Sequence, residues 1–265
     1  MREMERKVIQ GVADGQIPRH QYRAILIDEG HDFKPEWLQL LATDMIDSST
    51  EDLVLAFDDN QNIYQRRQRD KFTFKSVGIR AVGRTTILQT NYRNTKEILD
   101  LVSRVVSTEE RPSEDDSIIP CLKPIAWHRQ EPDPELIQAS SLQAEIHKIA
   151  SLIRDLPYDW NERAILCWTN AHLKQVATIL KKHNIPHQVR TRSGTYNPSQ
   201  PTVKVMTLHA SKGLQFNSVA IVSQPRRRRP TKEDLSLFAV GATRATHYLI
   251  LGVGDTWKEI LLQSS

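Results

Sequence analysis

The chain has 265 residues, 39% of them hydrophobic and 26% charged, with a formal net charge of +4. This composition excludes disordered and fibrous classes, and the length suits one large or two modest globular domains. A pI near 9.0 is compatible with a polyanionic partner without establishing one. No run approaches the roughly 18 apolar residues of a membrane span, so a soluble, cytoplasmic protein with no membrane partner is expected.

In chain order, the first apolar run is Ala24-Ile25-Leu26-Ile27, which ends abruptly in Asp28-Glu29-Gly30-His31-Asp32. Buried strands of parallel sheets read as continuous apolar runs, and ligands bind beyond their carboxyl ends. Asp28 and Glu29 therefore stand where a nucleotide-phosphate site places a magnesium-binding acid and a water-activating base. They could equally cap the helix that begins at Pro35, a proline at a helix start followed by apolar residues at helical spacing. Further strand-like runs lie at 53–57, 86–88, 164–168, 203–208, 219–222 and 248–252. Helical patterns alternate with them at 95–102, where Thr95 offers a cap, and at 141–156 and 170–183. Strands alternating with helices predict parallel α/β layers.

The pattern weakens near 78–84, and 109–134 and 190–201 read as irregular stretches. Basic residues cluster at 65–71 and at 226–229, where a solvated loop or contact with nucleic-acid phosphates would each account for them. Cys121 and Cys167 lack metal-ligand spacing; no disulfide framework is indicated, and Cys167 reads as a buried core thiol.

Taken together, Asp28-Glu29-Gly30-His31-Asp32-Phe33, Ala56-Phe57-Asp58-Asp59-Asn60-Gln61-Asn62-Ile63-Tyr64, Leu88-Gln89-Thr90-Asn91-Tyr92-Arg93-Asn94, Val205-Met206-Thr207-Leu208-His209-Ala210-Ser211-Lys212-Gly213-Leu214-Gln215-Phe216 and Val240-Gly241-Ala242-Thr243-Arg244-Ala245-Thr246 follow one another in a specific order. In this order they resemble motifs II to VI of the UvrD/Rep-like superfamily I DNA helicases. The resemblance implies RecA-like parallel sheets flanked by helices. Residues 1–84 would be the C-terminal part of a first lobe, and 85–265 a second lobe.

It also implies ATP and Mg2+ as cofactors and single-stranded DNA, or a junction of single and double strands, as partner. Phosphoryl transfer needs positioning and charge neutralisation on the phosphate oxygens. By resemblance, Asp28 holds magnesium, Glu29 acts as general base and Gln61 senses the terminal phosphate or the attacking water. Arg93 and Arg244 stabilise that phosphate as planar, permanently charged forks. Gln215 replaces the glutamate that in the family reaches the nucleotide sugar. Tyr64, His209 and Lys212 are the DNA candidates, with Tyr64 as plain core packing left open.

Three departures mark motifs II and III: Gly30-His31 stands for Ala-Gln, and Phe57 for a glycine. The interval from Arg93 to Thr207 has no room for the large accessory insertion of processive relatives. No Gly-Lys-Ser/Thr phosphate loop occurs in the sequence. The expectation is therefore part of an ATP-dependent helicase, with little ATPase activity of its own, to which a Walker-bearing N-terminal region or subunit is added. The alternative is a non-catalytic binding module that retains the fold.

Overall fold

The structure, a computed structural model, describes residues 2–50, 52–57, 73–88, 90–106, 125–126, 132–191, 196–224 and 229–262. The described residues up to Ile87 form one unit and those from Leu88 onward another.

The first unit contains α1 (Arg2–Ala13), β1 (Ala24–Ile27), α2 (Pro35–Gln39) and β2 (Asp52–Leu55). Helix α2 runs on as a π-helical segment, Leu40–Met45. Strands β1 and β2 pair in parallel from Ala24↔Asp52 to Ile27↔Leu55. Period-2 alternation turns Ile25, Ile27, Leu53 and Leu55 onto Leu38 and Val77. Leu26 and Val54, on the opposite face, remain 77% and 60% exposed.

The second unit begins differently from expectation. Residues 86–88 form no strand, and Leu88 is 89% exposed. Apolar composition alone does not make a strand, and among the described residues none pairs with this run. Pairing starts at β3 (Thr90–Asn91), which runs parallel to β4 (Ile125–Ala126). Helix α3 (Lys96–Val105) follows, its first turn closed by Thr95, whose hydroxyl accepts from the Ile98 amide.

Next come β5 (Glu135–Ile137), α4 (Leu142–Asp155), β6 (Arg163–Cys167), α5 (Asn170–Lys182), β7 (His187–Val189), β8 (Val203–Thr207), β9 (Phe216–Ile221), α6 (Lys232–Ala242), β10 (Ala245–Gly252) and α7 (Asp255–Leu262). Ser141, Thr169 and Thr231 cap α4, α5 and α6, the last with Asp234 as a reciprocal capping box. All six strands from β5 to β10 join one parallel sheet in the order β5-β10-β9-β6-β8-β7. The expected α/β architecture of parallel strands flanked by helices is the one found.

Every residue of β6 is buried, as a strand covered on both faces requires. Ile165 and Cys167 pack with Val205, Ala220 and Ile250 against Ile146, Ile149 and Ile153 of α4 and Val176 and Leu180 of α5. Burial pushes the Cys167 thiol far above its ordinary pKa and makes it an inert core group. Leu166 and Ile221 point to the other face, under α6, where both approach Gly241. Among the described residues no helix is long and apolar enough to cross a membrane.

One connection fixes the position of the site. Cys167 and Thr207 are paired at the carboxyl ends of β6 and β8, whereas Phe216 and Ala245 are paired at the amino ends of β9 and β10. Residues 208–215 must therefore pass over one face of the sheet from its carboxyl end to its amino end. Their passage lies beneath α6, because a Cβ on Gly241 would come within 2.2 Å of Leu208 Cδ2. Gly241→Ala is accordingly expected to cost about 1–3 kcal/mol by overpacking, read as a lowered urea midpoint. An unchanged midpoint would mean that the crossover yields without cost.

Glu145 on α4 is a second constraint. Its side chain is buried, Oε1 accepts the Ser223 amide at 2.7 Å, and it fills the space a Cβ on Gly252 would need. Desolvation raises its pKa above the ordinary 4.5. A raised pKa in the folded state means the folded chain holds this proton more tightly than the unfolded one. That stabilisation is complete below about pH 4.5 and is lost as pH rises through the folded value. In Tm against pH, wild type should therefore lose ground to Glu145→Gln as pH rises from about 4.5. Parallel profiles would contradict this.

Candidate functional site

In the first unit, Asp28 and Glu29 leave β1 at its carboxyl end. Asp28 is exposed, and its Oδ1 accepts the Glu29 amide at 2.8 Å. Glu29 lies in the left-handed region at φ 52, an uncommon position for a non-glycine residue. Its Oε2 is 2.9 Å from His31 Nε2. Neither acid caps α2, whose cap position is Lys34, so that structural alternative falls away.

The departures from the family pattern meet here. The buried His31 ring sits edge-on to Phe57, with centroids 5.8 Å apart, and Phe57 in turn contacts Phe74. Gly30 lies against β2: its amide donates to Ala56 O at 2.9 Å, and a Cβ would stand 2.3 Å from Leu55 Cδ1. One donor atom each of Glu29, His31 and Asp32 lie within 4.8 Å of one another. Asp28, a hard and exposed carboxylate at a strand end, fits a magnesium ion that keeps most of its waters. The Gln61 and Tyr64 expectations lie outside the described residues.

In the second unit the remaining candidates converge. The turn after β3 is organised by Asn91, whose Oδ1 accepts the amides of Arg93 at 2.8 Å and Asn94 at 2.9 Å. Asn94, 2% exposed, then reaches across the chain. Its Nδ2 donates to Thr243 O at 2.9 Å and Ala245 O at 2.6 Å, the carbonyls on either side of Arg244. This fastens the Arg93 turn to the turn between α6 and β10.

Arg93 is exposed. A Gln215 amide nitrogen facing the Arg93 guanidinium would set donor against donor, so hydrogen-bond complementarity assigns the amide oxygen to that side, where it accepts from Arg93 Nε and Nη2, each at 3.0 Å. Arg244 differs: it is 2% exposed and donates Nε to Val240 O at 2.9 Å and Nη1 to Leu214 O at 3.4 Å. A cation so placed also complements the carboxyl end of α6.

The DNA candidates lie on the crossover that ends at Gln215. His209 is exposed in a short 3-10 turn, His209–Ser211, and Lys212 is half-buried behind it. Chain packed beside its ring lowers the His209 pKa by desolvation and keeps the imidazole neutral near pH 7. The turn is held by Ser211 Oγ donating to Leu208 O at 2.7 Å and by Arg190 Nη1 donating to Ala210 O at 2.8 Å.

Residues 86–197 and 190–255, more than half of the chain, match the UvrD-like helicase C-terminal domain family. The chain belongs to that family. It is similar to the ATP-dependent DNA helicase HMI1, mitochondrial, of Saccharomyces cerevisiae, at 32% identity over 182 residues. That match covers 64% of the chain but only 25% of the yeast protein's length. It is similar in fold to the C-terminal domain of a possible DNA helicase from Lactobacillus plantarum WCFS1, with a TM-score of 0.50 at 18% identity. There 66% of this chain and 94% of the other are covered. The role of this UvrD-like chain is thus helicase-related.

Sequence reasoning missed Asn94. An asparagine beside an Asn-Tyr-Arg turn reads as turn chemistry, and only the fold shows its amide bridging two carbonyls. Asn94→Ala would strand both carbonyls and is expected to cost about 1–3 kcal/mol. Asn94→Asp, which presents an acceptor to them, should lose at least as much. Urea denaturation measures both, and a loss below about 0.5 kcal/mol in both variants would show that the bridge is dispensable.

Proposed function

We propose that this chain supplies motifs II to VI of an ATP-dependent DNA helicase that couples ATP hydrolysis to movement along single-stranded DNA. A cytoplasmic location belongs to the same proposal. The observation that carries it is the bridge from Asn94 to the carbonyls flanking Arg244, which fastens together the turns bearing Arg93 and Arg244. The Gln215 contact adds the end of the crossover to the same assembly.

In this reading Arg93 binds phosphate oxygens, and Arg244 holds its turn and contributes positive potential. Asp28 would hold Mg2+, which supplies charge neutralisation on the phosphates. Glu29, oriented by His31, would accept the proton of the attacking water, and Gln61 would sense the terminal phosphate. Tyr64, His209 and Lys212 would contact DNA. A neutral imidazole stacks on any base, and Lys212 would meet backbone phosphate. The adenine and phosphate anchors would come from a Walker-bearing region or subunit, because backbone amides and a lysine of that kind dominate phosphate binding.

A second reading, a non-catalytic module that binds DNA or a protein, is favoured by one observation: the Arg244 guanidinium is engaged with its own carbonyls. Two measurements on the chain separate these readings. Its ATPase should stay at background with or without single-stranded DNA; a DNA-stimulated rate abolished by Glu29→Gln would disprove the need for a Walker-bearing partner. Binding to single-stranded DNA, followed by fluorescence anisotropy, should weaken with salt. Lys212→Ala should lower that salt slope by about 1, and His209→Ala should cost about 1–3 kcal/mol. Binding unaffected by salt and by both substitutions would remove DNA from both readings and leave a module that binds a protein.

A further inference from the structure

We propose that Gln215 is a positioning residue that holds Arg93 ready for phosphate as a neutral acceptor, rather than itself touching the nucleotide. The proposal rests on the reading of Arg93 as a phosphate ligand.

A guanidinium carries five N–H donors in a fixed planar fork. The Gln215 oxygen takes one from Nε and one from Nη2, along one edge of the plane. Three donors remain: both on Nη1 and the second on Nη2. These form the end-on edge that meets two oxyanion oxygens side by side. Gln215 and a phosphate therefore do not compete for the same hydrogens. The contact restricts the long Arg93 side chain before any ligand arrives, which lowers the ordering cost of binding.

The chemistry of residue 215 decides what the contact does to charge. A carboxylate there would make the same two bonds but would oppose the guanidinium's charge and repel an incoming phosphate. An amide orients the fork and leaves its full positive charge.

Gln215 is well placed to act as a fixed point. It precedes Phe216, whose amide donates to Arg244 O at 2.9 Å, and it follows Leu214, whose carbonyl accepts from Arg244 Nη1 and whose amide donates to Ser211 O at 3.0 Å. Arg93 is fixed at its main chain by Asn91. Both ends of the contact thus have independent anchors. Both side chains are exposed, so substitutions here leave the core intact.

The test uses the full chain labelled with 15N. Hydrogen exchange at the Arg93 Nε–H, assigned by its disappearance in Arg93→Lys, is measured without ligand in wild type, Gln215→Ala and Gln215→Glu. Affinity for ATP is then measured in the same proteins and in Arg93→Ala. Exchange should be slow in wild type and Gln215→Glu and clearly faster in Gln215→Ala. ATP should bind about three- to tenfold more weakly in both Gln215 variants, through lost orientation in one and opposed charge in the other.

Exchange in Gln215→Ala at the wild-type rate would overturn the proposal. So would wild-type ATP affinity in Gln215→Ala alongside a loss in Arg93→Ala. Equal ATP binding by wild type and Arg93→Ala is a different failure. It would remove the phosphate reading of Arg93, while the exchange data would still show separately whether Gln215 holds the side chain.

Discussion

The second unit depends on a side-chain amide that replaces a missing piece of secondary structure. Thr243 closes the end of α6 and Ala245 opens β10, where neither helix nor sheet fully satisfies the main chain. Asn94 donates to both of their carbonyls from a turn far away in sequence. A buried carbonyl left unpaired is costly, so the bridge stabilises the turn and fixes its partner at once. Thr95, the next residue, caps α3. The Arg93 turn is therefore held from both sides: Asn91 closes it locally, and Asn94 fixes it to the α6–β10 turn.

In the first unit the substitutions at motifs II and III make sense only as a set. Gly30 is needed because Leu55 occupies the space of a Cβ. His31 is buried against Phe57, at a position where a glycine would leave a void. Glu29 in the left-handed region then aims its carboxylate back at the His31 ring. Restoring one family residue alone would leave a clash, a cavity or an unmatched polar group, since packed interiors tolerate neither extra nor missing volume.

In the second unit β6, β8, β9 and β10 and helices α3 to α5 were legible because their signals are local, whereas the two- and three-residue strands β3, β4, β5 and β7 and helix α7 were not. Continuous apolar runs gave β6, β8 and β10, and Ser and Thr caps preceded the helices at 95, 141 and 169. Helix α6 was not legible by periodicity, since it buries residues on most sides, Leu237, Phe238, Val240 and Ala242 among them. Its Thr231-x-x-Asp234 box was the signal available. The run at 86–88 misled for the opposite reason: it has strand composition but, among the described residues, no ladder partner. Within the candidate site, motif order singled out the candidate residues, but the joints between them were not legible. Asn94 to the α6–β10 turn and Gln215 to Arg93 are contacts between residues distant in sequence, and no local pattern encodes them.

The two arginines show why position matters more than charge. A buried guanidinium is tolerated when its donors find acceptors, and Arg244 gives Nε to Val240 O, Nη1 to Leu214 O and Nη2 to Thr243 Oγ1. At 2% exposed, it could meet a ligand directly only if the chain around it moved aside. Arg93 bears no such cost, because its contact with Gln215 uses one edge and lies at the surface. The same ion thus stands on two backgrounds, buried among backbone carbonyls in one case and at the surface in the other. The crossover joins them, since Leu214 accepts from Arg244 and Gln215 accepts from Arg93. A displacement of residues 208–215 at the His209 end would therefore act on both arginines through adjacent residues of one chain segment. That arrangement is physically suited to linking the DNA contact proposed at His209 to the phosphate contact proposed at Arg93 without any long chain of intermediates.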